Sequence, residues 1–245
     1  MGDIVGGVST FAASQDAADP LVDILRRAGA VFATQHGHSV AVNYGSAAGE
    51  LAVCVTAVGI LDRSELTKFA LEAPAAQLSH LLTRLLGSQL AVGGARRSAG
   101  AWWCRWAADR VLVLCEPSAG GRLLERLLTQ TVHHVALSVH DRSDELAAIA
   151  LVGRATPSVL AALGAFGDAG DPRSVPPLTS CSVRDVRVEW LLESDRRALA
   201  LVDREHAGIV WRAIDDAGRP FGISCVGQEA ASRYQLLERS AALGA

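Results

Sequence analysis

The sequence predicts an α+β fold built from two similar strand-and-helix halves, and three observations carry that prediction. The first is a repeat. Residues 58–87 read VGILDRSELTKFALEAPAAQLSHLLTRLLG, and residues 139–167 read VHDRSDELAAIALVGRATPSVLAALGAFG. Asp62-Arg63-Ser64 returns as Asp141-Arg142-Ser143, 79 positions on. The second is periodicity. Phe69, Leu71 and Ala73 alternate in the first copy, and Ala148, Ala150 and Val152 in the second, as in a half-buried strand. A short turn, Pro74-Ala75 or Gly153-Arg154, then leads to a leucine-striped helix that runs into a glycine. The third is spacing. Asp62 to Gly87 is 25 positions and Asp141 to Gly167 is 26, so one turn holds one extra residue.

The remaining elements fall in order around this unit. Residues 1–18 are small and polar and read as a flexible N-terminus. Residues 19–131 form the first half and 132–245 the second, together one domain. Asp19-Pro20 opens a helix over Leu21–Arg27, with proline in its first turn. Ala30–Thr34 and Ser39–Asn43 read as strands, and Glu50–Ala57 as a helix. After the first copy, Ala91–Gly100 reads as a glycine- and arginine-rich loop. Ala101–Trp106 and Arg110–Cys115 are strands around a tight turn, and Pro117–Gln130 is an amphipathic helix with Leu123, Leu124, Leu127 and Leu128 on one face. In the second half Val132–Val139 reads as a strand entering the repeat, and Asp168–Pro177 as a loop. Val183–Leu192 and Ala198–Val202 read as strands, and Glu205–Ile214 and Gly227–Glu238 as helices. Helices on one face of each sheet give α+β layers. The two sheets are expected side by side, related by a pseudo-twofold, with a cleft between them.

Composition bounds the function. The chain has 245 residues, is half hydrophobic and carries a formal charge of −3, enough to bury a large core. Arginines and acids are interspersed and Lys68 is the single lysine, so no basic field tracks a nucleic acid. No apolar run is long enough to span a membrane, and the N-terminus has neither the basic start nor the apolar stretch of a signal peptide. Five cysteines with no C-x-x-C pair point to reduced thiols and a cytoplasmic location. His36 and His38, and His133 and His134, lack the spacing of a helical metal pair.

The stretch from Glu50 through VGILDRSELTKFALEAPAA resembles the opening "glutamate … v-G-l-f-D-x-S-h-x-g-k-x-x-v-x-G-p-d-A" of the aminomethyltransferase (glycine-cleavage T-protein) superfamily of folate-binding proteins. DRVLVL, IALVGRAT, VDREHAGIVWRAI and GRPFGISCVGQEAASRYQLLE resemble later segments of that superfamily in the same order, over roughly residues 30–240. The resemblance implies a tetrahydrofolate or related pterin cofactor and one-carbon transfer from an N-methyl or aminomethyl donor. Departures accompany it. The superfamily's catalytic aspartate lies in a G-G-x-x-D-D run, whereas GGARRSAGAW here has no acid. The Y-T-G-E glutamate would fall near Asp195, with Glu193 or Glu189 as other readings. Counted from Gly227, the folate-contacting arginine falls at Ala231, with Arg233 close by, and the second arginine at Gln235. The superfamily's C-terminal β-barrel domain has no counterpart in these 245 residues. Gly227–Arg233, GQEAASR, and the tripeptide Asp171-Pro172-Arg173 also resemble the folate-binding proteins that maintain iron–sulfur enzymes. The sarcosine oxidase gamma subunit, which lacks the barrel as well, is a third relative. Those branches imply an alternative: a non-catalytic subunit or scaffold that docks on a protein partner or another copy of itself. A further alternative is a pocket turned to another small-molecule reaction.

A tetrahydrofolate site needs an acid for the donor edge of the pterin, flat faces for the ring and a carboxylate near the reacting nitrogen. Glu189 or Asp195 is the candidate for the first. Trp102, Trp103, Trp106 and Trp190 are candidates for the second, against core packing as the alternative. Trp102 and Trp103 must face opposite ways on a strand, and Trp106 shares the face of Trp102. The third has no good candidate: Glu116 reads as a loop acid, and the recurrence of Asp62 and Asp141 points to turns or caps. Arg96 and Arg97 stand near the expected mouth, suited to the glutamate tail of folate or another anion.

Overall fold

The computed structural model describes residues 20–133, 136–167 and 175–243. The expected N-terminal segment 1–18 and the tripeptide Asp171-Pro172-Arg173 lie outside the described residues. Asp62 and Asp141 close matching turns: the Asp62 Oδ1 accepts from the Ser64 amide at 2.9 Å, and the Asp141 Oδ1 from the Ser143 amide at 2.9 Å. Each turn separates two strands, β3 (Val58–Asp62) from β4 (Thr67–Glu72) in the first copy, and β8 (Ser138–Asp141) from β9 (Leu146–Val152) in the second.

Here the copies exchange strands. β3 pairs antiparallel with β9, and β8 pairs antiparallel with β4. The crossing is stitched symmetrically. The Ala148 amide donates to Ser64 Oγ at 3.1 Å, and the Lys68 amide to Ser143 Oγ at 3.0 Å. The Arg63 amide donates to the Ala148 carbonyl and the Arg142 amide to the Lys68 carbonyl, both at 2.8 Å. Asp62 lies opposite Ile149 and Asp141 opposite Phe69, so Phe69 matches Ile149, 80 positions on. The extra residue therefore enters before the strand, in the turn holding Asp144. This corrects the alignment of Phe69, Leu71 and Ala73 with Ala148, Ala150 and Val152: a slip of one residue swaps the faces of a strand. Phe69 and Leu71 point outward, whereas Ala148, Ala150 and Val152 point inward.

The five-stranded sheet runs β5 (Ala95–Ser98), β6 (Ala101–Ala107), β7 (Arg110–Cys115), β4, β8. The six-stranded sheet runs β10 (Leu178–Val183), β11 (Val186–Ser194), β12 (Arg197–Asp203), β9, β3, β13 (Ile223–Cys225). A separate hairpin joins β1 (Val31–Gln35) and β2 (His38–Asn43). Three strands fall where the sequence predicts none. The arginine-rich loop contains β5, whose backbone pairs with β6 whatever its side chains. The strand drawn over Val183–Leu192 is split by a turn at Arg184-Asp185, both at positive φ (48° and 65°), which makes β10 and β11 a hairpin. The third, β13, is the short parallel edge beside β3.

The sheets lie face to face, not side by side, between outer layers of helices. α1 (Pro20–Arg27), α5 (Thr156–Ala162) and α6 (Ala207–Gly218) cover the six-stranded sheet through Leu21, Leu25, Val159, Val210 and Trp211. α3 (Ala75–Leu86) and α4 (Pro117–His133) cover the other through Leu78, Leu81, Leu82 and Leu127. α4 continues to His133, where the sequence reading had a strand from Val132. Gly87 ends α3 at φ 76°, the left-handed cap a side chain resists. Between the sheets, residues of both form one core, with Leu61, Ala70, Cys104, Leu112, Ala150 and Leu199 among its members. Side chains thus fill most of the expected cleft. α2 (Ala47–Thr56) and α7 (Gln228–Leu243) pack together and add Cys54 and Tyr234 to this inner core.

Lys68 lies at the exchange, fully buried. Its ammonium donates to the carbonyls of Ser64 at 2.8 Å and Leu66 at 2.7 Å. Burial, then the Arg204 charge, pushes its pKa down to about 8.

Candidate functional site

One part of the inter-sheet seam remains open. A cavity of about 200 Å3 lies among Leu61, Ala150 and Leu199 on the apolar side and Arg63, Glu193 and Arg197 on the polar side. A smaller hollow of about 70 Å3 shares Arg63, Glu193 and Arg197 with it and extends to Arg97 and Trp102. α7 forms one wall with Gln228, Ala231, Ser232 and Gln235. Their spacing of three or four residues puts them on one helical face.

Glu50 sets the start of that wall. This buried carboxylate accepts from the Tyr44 amide with Oε1 and the Gly227 amide with Oε2, both at 2.7 Å. A Cβ on Gly227 would lie 2.1 Å from the Val42 carbonyl oxygen, so only glycine lets α7 begin against β2. Gln228 follows, and its Oε1 is buried with no hydrogen-bond partner. With its amide turned so that oxygen faces the guanidiniums, Gln235 accepts from Arg197 at 2.9 Å and Arg239 at 3.1 Å.

The charges around the cavity are mostly paired. Arg63 donates to Glu65 at 2.6 Å and to both oxygens of Glu116 at 2.8 and 3.0 Å. Burial opposes the Arg63 charge, but the two carboxylates outweigh it and hold its pKa above the ordinary range. Arg197 stands 3.5 Å from Glu193 and 3.2 Å from Glu238. Burial raises the pKa of Glu238.

The structure divides the residues singled out in the sequence. Trp102 and Trp106 both turn inward, and Trp103 outward. Trp102 lines the smaller hollow. Trp106 packs against the inner core with its indole N–H unpartnered, outside the cavity lining. Trp190 is a correction: it is fully buried under the helices on the outer face, its Nε1 donating to Cys181 Sγ at 3.3 Å. Glu189 sits four residues along β11 from Glu193, about 13 Å away along the strand, outside the lining and 3.6 Å from Arg187. Burial raises its pKa. Asp195 occupies the β11–β12 turn with its side chain 81% exposed, 3.8 Å from Arg196. Arg233 points to solvent and pairs with Glu229 at 2.5 Å. Of the three acids weighed as the Y-T-G-E glutamate, Glu193 faces the cavity; the two named for the pterin edge, Glu189 and Asp195, do not line it. Ala231 and Gln235, where the resemblance counts its two arginines, face it too. Glu116, read as a loop acid, belongs to the lining. Arg63, Arg197 and Gln228 had no signal in the sequence beyond lying in the repeat, just before an expected strand and in the GQE run.

Among the described residues no cluster of histidine, cysteine, aspartate or glutamate can hold a metal ion. No helix among them is long and apolar enough to cross a membrane.

Known structures match this arrangement. The glycine cleavage system aminomethyltransferase T from Bartonella henselae superimposes with a TM-score of 0.65 and 18% identity, over 86% of this chain and 60% of that one. The chain has the aminomethyltransferase-like folate-binding fold. It spans 60% of the length of that enzyme chain. A chain of heterotetrameric sarcosine oxidase from Corynebacterium sp. U-96 matches with a TM-score of 0.57 and 20% identity, over 75% of this chain and 96% of that one. No family model and no curated protein sequence matches.

Proposed function

We propose that the chain binds the ring of a reduced pterin, as in tetrahydrofolate, in the seam cavity and holds it for one-carbon transfer with an N-methyl or aminomethyl donor. The observation that carries this is the unpartnered Oε1 of Gln228 on α7, which lines the same cavity as the Glu193 carboxylate on β11, so that two acceptors share one cavity. The amino and amide N–H groups of a pterin supply the matching donors. Trp102 offers an aromatic surface on the adjoining hollow. At about 200 Å3 the cavity is smaller than the roughly 300–1,000 Å3 pockets that enclose drug-sized ligands, so it suits the ring and leaves a tail outside. When bound, a reduced folate supplies the nitrogens that carry the one-carbon unit. Glu193 and Gln228 orient the ring edge, and Arg197 holds Glu193 in place. The free thiols support a reducing, cytoplasmic setting.

Saturating 5-formyl-tetrahydrofolate at about 100 times its Kd stabilises by ~2.7 kcal/mol, a Tm rise of about 5–10 °C for a chain of this size. Glu193→Gln and Gln228→Ala should each remove most of that rise while leaving the unliganded Tm near the parent value. An unmoved melting curve at saturation overturns the reading.

A second reading, a non-catalytic subunit, has its own support. Arg97 and Ser98 stand where the G-G-x-x-D-D run has its acids. The sarcosine oxidase chain matched over 96% of its length comes from a heterotetramer. Size-exclusion chromatography at micromolar concentration separates the cases: a stable monomer that binds pterin favours the first.

A further inference from the structure

We propose that a groove on the outer face of α3 binds a phosphate group, held by His80, Arg84 and Gln89. It shares no lining residue with the seam cavity and does not depend on the pterin reading.

Charge in this part of the chain is one-sided. Residues 73–108 contain Arg84, Arg96, Arg97 and Arg105 and no aspartate or glutamate, in a chain whose formal charge is −3. Two of these arginines clamp the loop between α3 and β5. Arg96 donates to the Leu86 carbonyl at 3.3 Å and to Ser88 Oγ, and Arg105 to the Leu90 carbonyl at 2.8 Å. Arg105 is only 7% exposed. Its other acceptors are the Ala107 and Ala108 carbonyls at 3.4 and 2.7 Å and Ser79 Oγ at 2.9 Å. All of them are neutral, so the guanidinium is hydrogen-bonded but its charge is not cancelled. A buried charge without a counter-ion is costly, and a nearby anion offsets part of that cost.

A groove of about 480 Å3 opens between this loop and α3, lined by Ser79, His80, Thr83, Arg84 and Gln89. Ser79 joins Arg105 to it. Ser79 and Thr83, and His80 and Arg84, are each four residues apart, two adjacent rows on one helical face. The hydroxyls are committed to the helix: Ser79 Oγ donates to the Ala75 carbonyl at 2.8 Å and Thr83 Oγ1 to the Ser79 carbonyl at 2.9 Å. His80, Arg84 and Gln89, all exposed, are then the donors at the groove. Gln130 on α4 steers Arg84 by accepting from its Nη2 at 2.7 Å, and leaves its charge intact. Among the described residues no acid lines the groove. Donors from two walls suit the several oxygens of a phosphate, whereas the Arg84 fork alone satisfies a carboxylate.

Isothermal titration of the full chain with inorganic phosphate, pyrophosphate and acetate, at constant ionic strength so that general screening is the same in each, tests this. Histidine proton resonances are read in parallel. Phosphate and pyrophosphate should bind, and acetate should bind about tenfold more weakly or not at all. The His80 resonance, identified by its loss in His80→Gln, should move on titration. Arg84→Ala should weaken phosphate about tenfold to hundredfold, the range of one charge-assisted hydrogen-bonded pair. Both side chains are exposed, so both variants should melt with the parent. No phosphate binding at millimolar concentration, acetate binding as well as phosphate, an unchanged affinity in Arg84→Ala, or an unmoved His80 resonance each overturns the inference. The response to 5-formyl-tetrahydrofolate is measured on the same variants and should match the parent, so failure here leaves the pterin reading standing.

Discussion

Replacing Glu50 by glutamine tests how the fold delivers the site. The two carboxylate oxygens of Glu50 each accept a backbone amide at 2.7 Å, from Tyr44 and Gly227. Glutamine has the same shape but one acceptor oxygen, so its NH2 group must face one of those amides. A buried amide left unpaired costs about 1–3 kcal/mol. Gly227 precedes Gln228, the first residue of α7, so the substitution also removes a negative charge from a helix N-terminus, about 0.3–1 kcal/mol or more when partly buried. Together the loss should be ~2–4 kcal/mol, a Tm drop of roughly 5–15 °C. Urea unfolding should show a lower midpoint with an unchanged slope. Because α7 carries Gln228, Ser232 and Gln235, affinity for 5-formyl-tetrahydrofolate should fall as well. A variant within about 0.5 kcal/mol of the parent, well inside the range of an ordinary surface change, would refute the claim that this carboxylate fastens α7 to β2.

Three further outcomes follow from the same geometry. Lys68 has a folded pKa of about 8 against an ordinary 10.5, so between those values the unfolded chain holds more protons and stability rises with pH; Lys68→Met should remove that rise, read as a parent-minus-variant difference in urea midpoints that grows from pH 8 to 10. Gly227→Ala puts a Cβ 2.1 Å from the Val42 carbonyl oxygen and should cost about 3 kcal/mol or more, measured by thermal unfolding. Asp62 Oδ1 accepts from both the amide and the hydroxyl of Ser64, at 2.9 and 2.6 Å, whereas Asp141 accepts from the Ser143 amide at 2.9 Å; Asp62→Ala should therefore cost about 2 kcal/mol and Asp141→Ala about 1 kcal/mol, and equal losses would contradict the distinction.

The repeat was legible because local chemistry recurs: an aspartate capping its own turn leaves the same mark wherever the turn is used. The exchange of β3 and β8 was not, because a strand carries no label for its partner. The misaligned alternation shows the same limit. Both faces of β9 are apolar, so its pattern could not reveal which side Ala148 or Ile149 takes, and the inserted residue at Asp144 decided it. β5 was hidden because its Ala-Arg-Arg-Ser sequence has no strand signature and its backbone pairing supplies the order. Within the site, counting from Gly227 located Ala231 and Gln235 because helix geometry converts spacing into facing. The acids on β11 could not be ranked by counting, because the end of a strand depends on where its hairpin turns. The turn falls at Asp195, which leaves Glu193 on the inner face.

By itself, the order of residues determined which segments are alike, which turns are capped, and that no acid lies between Gly93 and Ala108. These are properties of neighbours along the chain, and their physics acts over a few residues. Only tertiary structure decided that the sheets face one another, that Trp190 lies under the helices, and that Arg97 meets a hollow while Arg96 is tied to the end of α3. Those outcomes depend on contacts between residues far apart in the chain, where the burial of apolar surface from both halves, not local preference, selects the arrangement.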